Sequence, residues 1–173
     1  MSSYHLTSNG LLAARPGGQP ASDAIYHDPY SPVPAGERRL AALRDDVLSY
    51  RTPALAGQTP VTGPAVLTLS VTSSASHAHL DVAILAVGPG VLILLGEAVV
   101  HASGLHRRTA RPVQVTVGVQ PAIVPAGHQL RLDLYRGHCP QCPGPDLPAL
   151  DRVHHRGSTV AVAAGQPQVA ISG

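Results

Sequence analysis

Alternation is the feature that most restricts what this chain can become. Over residues 128–135, His128, Leu130, Leu132 and Leu134 fall on one side of an extended backbone, and Gln129, Arg131, Asp133 and Tyr135 on the other. A period of two describes a strand with one buried and one wetted face. The preceding Pro125-Ala126-Gly127 turn sets where that strand begins. The same period returns over residues 65–72 and 113–119. Residues 80–87 and 91–102 are more uniformly apolar and read as two buried strands joined by a tight turn at Gly88-Pro89-Gly90. Shorter strands are expected over residues 46–50, 123–124, 158–163 and 168–171. Residues 37–46 suit one or two helical turns, and residues 139–148 an irregular loop. Eight or nine short strands with turns between them predict an all-β sandwich or barrel.

Composition narrows the function. The chain has no Phe and no Trp, so an aliphatic core of Val, Leu, Ile and Ala must carry the packing. All 12 basic residues are Arg, and the formal net charge is only +2. Those arginines are scattered, which is not the clustered basic face with interleaved aromatics that nucleic-acid binding needs. The most apolar run, residues 82–95, is broken by Gly88-Pro89-Gly90 and is shorter than the ~20 apolar residues of a membrane helix. The N-terminal residues have neither a charged nor an apolar region of signal-peptide type. The expectation is a soluble cytoplasmic protein with no nucleic-acid or membrane partner. Residues 1–40, rich in Pro, Gly and Ser, read as a long irregular arm or connector, with the β-sandwich domain over 41–173.

Three constellations have residue types that bear chemistry. His138, Cys139 and Cys142, with His154 or its neighbour His155, have ligand types suited to zinc, but a single C-x-x-C lacks the second pair of the specific zinc patterns. The expectation is a cysteine-bearing loop without a metal or other cofactor. A redox role is disfavoured because Pro143-Gly144-Pro145 prevents a helix from starting after Cys142. Ser158 with His154 or His155 and Asp151 has the residue types of a catalytic triad. Ser158 nevertheless opens an expected strand with no oxyanion loop in view, so it is assigned to backbone hydrogen bonding. Arg131 and Asp133 share the expected wet face of their strand and can pair there.

Taken in order, several motifs resemble one family. Asn9-Gly10-Leu11, then Tyr26-His27-Asp28-Pro29 and Pro32-Val33-Pro34, resemble its connector. Arg44 to Tyr50, followed by Thr52 and Leu55, resembles its entry strand, and Val61-Thr62-Gly63-Pro64 its next turn. Leu95 to Ser103 resembles a strand in which His101 stands where Arg is usual. Pro125 to Leu132 and His155 to Val160 resemble two later strands. The family is the C-terminal jelly-roll domain of X-Pro dipeptidyl-peptidases and cocaine-esterase-like (CocE/NonD) α/β serine hydrolases. The resemblance implies a jelly-roll, galactose-binding-like sandwich that accompanies a catalytic domain. It brings no catalytic residue, because the G-x-S-x-G elbow that carries the family's serine is absent here.

The function implied is therefore a stand-alone, non-catalytic accessory or subunit of a hydrolase acting on peptide or ester bonds. Its partner would be an α/β-hydrolase catalytic domain in trans, with a homo-oligomer also open, and the docking face should expose an apolar patch. The alternatives are a freestanding ligand- or carbohydrate-binding jelly roll and a truncated relic of a longer enzyme. The absence of Trp counts against sugar stacking.

Overall fold

The computed structural model describes residues 1–18, 20–30, 44–137 and 147–165. The described chain is almost entirely strand: β1 (Ser2–Thr7), β2 (Leu11–Ala13), β3 (Ser22–His27), β4 (Val47–Arg51), β5 (Thr59–Ser73), β6 (His77–Gly88), β7 (Val91–Ser103), β8 (Arg111–Val117), β9 (Ala122–Val124), β10 (Gln129–Arg136) and β11 (Ala149–Ala164). A single 3-10 turn, Ser8–Gly10, separates β1 from β2. No helix among the described residues is long and apolar enough to cross a membrane. The helical turns expected over 37–46 lie outside the described residues as far as residue 43, as do the strand expected over 168–171 and most of the cysteine-bearing loop.

The strands run in the order β7-β6-β10-β4-β2-β1-β11-β5-β8, with β3 beside β11 and β9 beside β5. Between β2 and β4 the ladder is parallel and has one pair, Leu11 with Arg51; every other pairing is antiparallel. That thin seam divides the path into two halves that face each other as a sandwich. One core joins them: Leu80, Val82, Ile84, Leu130, Leu132 and Leu134 from one half, and Leu67, Leu69, Val71, Val115, Val160 and Val162 from the other. At the far side the ends of the path approach one another. The Gln120 N–H donates to the Leu95 carbonyl at 2.8 Å, and a β-carbon on Gly96 would strike the Gly118 carbonyl oxygen.

The apolar faces of β5, β8 and β10 point into this core, as the alternation predicts, and β6 is buried, as its apolar run predicts. Four other expectations change. Residues 91–102, expected as a buried strand, form the edge strand β7, whose side chains are mostly exposed or half-buried. Residues 1–27, expected as an irregular arm, contribute three strands to the sheet. β1 and β3 pair with the long β11 and β2 pairs with β1, and Leu6, Leu12 and Ile25 are buried in the core. The strand expected to begin at Ser158 begins nine residues earlier, at Ala149. The wet face of β10 is not wet: Arg131 and Asp133 are 2% and 0% exposed. They form an ion pair at 2.8 Å, and Asp133 also accepts from the Ser49 hydroxyl on β4 at 2.8 Å. Period two reports which residues share a face; it does not report whether that face meets water.

The motif at the start of β10 now has a physical role. Gly127 adopts φ +78°, and its N–H donates to the Leu55 carbonyl at 2.8 Å. Leu55 in turn donates to His128, and Thr52 N–H to the Leu130 carbonyl, while the Thr52 hydroxyl accepts from Leu130 N–H at 3.0 Å. Residues 52–55 are thus clasped to 127–130.

Gly96→Ala should test the closure between β7 and β8. The obstacle is a backbone carbonyl and not a flexible side chain, so the strands must part. Chemical denaturation should show a loss of about 1–3 kcal/mol, whereas the same change at Gly118, where an added β-carbon meets open space, should cost clearly less.

Candidate functional site

β11 changes partner midway. Its first part, 149–154, pairs with β3 on one edge, and 159–162 pairs with β1 on that same edge. On the other edge His154 lies opposite Ser70 and Thr159 opposite Thr68, so five steps along β11 match two along β5. The extra residues form a bulge, with Gly157 at φ +86°. Ser158 completes it. Its hydroxyl oxygen accepts from Ser70 N–H at 2.9 Å, and its proton goes to the His154 carbonyl at 2.5 Å. Ser158 is 0% exposed.

This geometry takes the triad candidates apart. Asp151 is buried and holds Arg136 at 3.1 Å. The His154 ring contacts the Thr72 hydroxyl at 3.0 Å. His155 reaches Asp23, with Nε2 2.8 Å from Oδ2. Ser158 therefore has backbone partners for its hydroxyl and neither histidine as a base, the role expected for it from sequence. Among the zinc candidates, His138, Cys139 and Cys142 lie outside the described residues, and His154 is engaged as above. Among the described residues no group of three or more His, Cys, Asp and Glu is placed to hold a metal ion.

The bulge instead creates a cluster that sequence reasoning missed. Turning His155 inward brings it to Asp23 on β3, where the Tyr50 hydroxyl of β4 also donates, at 2.6 Å. The Tyr50 and His155 rings meet edge-on, 6.2 Å between centroids. Tyr50 and His155 are buried, while the Asp23 side chain remains 34% exposed. Burial, and then the hydrogen bond to and charge of Asp23, push the Tyr50 phenol far above its ordinary value of 10.0. It stays a donor at any physiological pH and is no base. The cluster is a clamp, without a nucleophile beside it. The entry motif that includes Tyr50 also begins with a fixed pair: Arg44 Nε and NH2 donate to the two Asp46 oxygens at 2.7 and 2.6 Å. That pair raises the Arg44 pKa and lowers that of Asp46.

The other conspicuous feature is apolar. β7, at one end of the strand path, exposes Val91, Ile93, Leu94 and Val99 by 43%, 40%, 41% and 54%. The register with β6 places Leu94 and Val99 on the outer face of β7, beside Leu85 and Asp81, and Val91 and Ile93 on the opposite face. Exposed aliphatics on an edge strand are of the kind that marks contact with another protein.

Comparison with known proteins agrees with this geometry. Residues 3–141 match the family model of the X-Pro dipeptidyl-peptidase C-terminal non-catalytic domain. An aminopeptidase from a marine sediment Thaumarchaeota archaeon superposes with TM-score 0.82 at 20% identity, over 94% of this chain and 36% of that one. An α-amino acid ester hydrolase gives TM-score 0.82 at 17% identity, over 95% and 36%. A CocE/NonD family hydrolase from Staphylococcus aureus gives 0.72 at 9%, over 94% and 36%. The chain thus spans about a third of the length of the structures it resembles, and at these identities the likeness is one of fold. Among curated proteins no sequence match is found.

Two substitutions test the clamp and the bulge. Ser158→Ala leaves a part-buried N–H and a part-buried carbonyl without their partner and should cost about 1–2 kcal/mol in urea unfolding. Tyr50→Phe should cost about 1.5–3 kcal/mol, the value of a hydrogen bond to a charged group. The pH dependence has a definite sign. The folded-state pKa of Tyr50 is raised, so its contribution is complete below pH 10 and is lost as pH rises above that, because the unfolded chain ionises first. Stability should fall above pH 10 more steeply in the parent than in Tyr50→Phe.

Proposed function

The chain belongs to the family of X-Pro dipeptidyl-peptidase C-terminal non-catalytic domains, and from that premise we infer that it is an accessory β-domain of an α/β serine hydrolase. It works by docking a catalytic domain in trans, and that domain cleaves peptide or ester bonds. The observation that carries this reading is the coverage. Hydrolases named for both kinds of bond share this fold over nearly all of this chain, while it accounts for 36% of their own length. The absence of G-x-S-x-G and the backbone role of Ser158 support a partner for the chemistry. Leu94 and Val99, exposed on the outer face of β7, supply the docking face, since a preformed apolar surface is what a catalytic domain would bury.

The test is co-purification of the tagged chain from its native extract, followed by mass spectrometry and assay on X-Pro nitroanilides and nitrophenyl esters. The expected result is capture of a hydrolase that carries G-x-S-x-G and lacks its own β-domain, with activity only in the complex. Val99→Asp combined with Leu94→Asp, on the same face of β7, should reduce that capture at least about tenfold, since each buries a charge without a partner, and should leave the melting temperature little changed. Failure to capture such a hydrolase, or turnover by the chain alone, overturns the reading.

A further inference from the structure

The outer face of β3, β11 and β5 holds a pocket of about 440 Å³ that is remote from the exposed aliphatics of β7 and unused by the clamp. β11 forms its floor, with Leu150 opposite Tyr26 and Arg152 opposite Ala24 and Thr72. The second wall is the loop after β7, which carries Arg107. That loop is held in place: Ser73 N–H donates to the His106 carbonyl at 3.1 Å, and Leu105 N–H to the Ser76 carbonyl at 3.0 Å. Leu105 itself is buried.

Two arginines therefore face one cavity, and none of its lining residues is acidic. Among the described residues the neighbouring carboxylates are occupied elsewhere. Asp151 is buried against Arg136, Asp23 is in the clamp, and Asp28 accepts from Tyr30 N–H at 2.9 Å. Among the described residues neither Arg107 nor Arg152 is held in an ion pair. The Ser74 hydroxyl already accepts from Leu150 N–H at 2.9 Å, so its own proton is left to donate. The remaining wall is apolar: Pro148, Ala149 and Leu150, the last 38% exposed, face the 54% exposed Tyr26.

We propose that this pocket binds a small organic carboxylate bearing an apolar group, the chemistry shared by an N-acylated amino acid and the C-terminal residue of a short peptide. The guanidinium forks match a carboxylate geometrically. The volume is that of a small-molecule site, and the apolar wall takes the substituent. The inference does not depend on the hydrolase reading, because it concerns a different face and needs no partner chain.

The test uses the full chain and N-acetyl-leucine, N-acetyl-leucinamide, the peptide Ala-Ala-Leu with a free or amidated C-terminus, and inorganic phosphate, followed by amide NMR. The acids should saturate, shifting the amides of Ser74, Leu150 and Arg152. The amides should bind at least about tenfold more weakly, as expected for loss of a charge-assisted hydrogen bond. Arg107→Gln and Arg152→Gln should each weaken acid binding about tenfold with the fold intact by circular dichroism. Arg156→Gln, outside the pocket, should leave it within about twofold. A response to Ala-Ala-Leu but not to N-acetyl-leucine would assign the site to peptide C-termini; the reverse would assign it to free acids. Equal binding of acid and amide, equal binding of phosphate and N-acetyl-leucine, wild-type affinity in both pocket variants, or no saturable shift at these amides would each overturn the proposal.

Discussion

One carboxylate oxygen, Asp23 Oδ2, holds the two halves of this sandwich in register. It receives the Tyr50 hydroxyl from β4 and lies 2.8 Å from the His155 ring nitrogen on β11. β4 belongs to the half that contains β6, β7 and β10, and β3 and β11 to the other. The backbone joins those halves only thinly, by one parallel pair at Leu11 and Arg51 and by the Gln120–Leu95 hydrogen bond at the far end, so side chains must help fix how they sit. Tyr50 suits this task because it is the largest of the fully buried side chains in a chain without Phe or Trp. A buried phenol requires an acceptor, and a carboxylate that keeps a third of its side-chain surface in water provides one without the full desolvation cost of a buried charge.

The legible part of this fold was the part in which polarity and exposure coincide. β5, β8 and the apolar face of β10 alternate, β6 is a nearly continuous apolar run buried on both faces over residues 82–86, and Gly88-Pro89-Gly90 marks the β6–β7 turn, with Gly90 at φ +68°. The N-terminal strands were hidden because β1 and β3 are stabilised by pairing with β11, a partner more than a hundred residues away, and β2 by pairing with β1, while their own Gly, Pro and Ser content signals turns. β11 was half hidden because His154-His155-Arg156-Gly157 interrupts its alternation, and that interruption is the bulge itself. Asp23 was illegible for the same reason: its partners lie 27 and 132 residues away, and no local pattern distinguishes it from any other strand aspartate. The assignment of Ser158 to backbone succeeded because a serine beside a strand irregularity has nearby peptide groups to satisfy.

The buried pair on β10 shows what such a misreading conceals. Arg131 and Asp133 lie on the face of β10 that points away from the aliphatic core, and their ion pair gives little net stability once desolvation is counted. Its effect is on alternatives. β10 is hydrogen-bonded along both edges, to β6 and to β4, and a slip of one residue would turn its leucines outward and both charges into the core. An aliphatic core offers them no partner beyond each other, so that register is excluded by several kcal/mol. The register of β10 sets that of β6, and β6 sets that of β7. A buried charge pair thus fixes which β7 residues face outward. A docking surface built from Val99 and Leu94 requires that choice to be made before a partner arrives, because a strand that slipped by one residue would turn Val99 inward together with Glu97 and His101 on the same face and lose the preorganisation on which affinity depends.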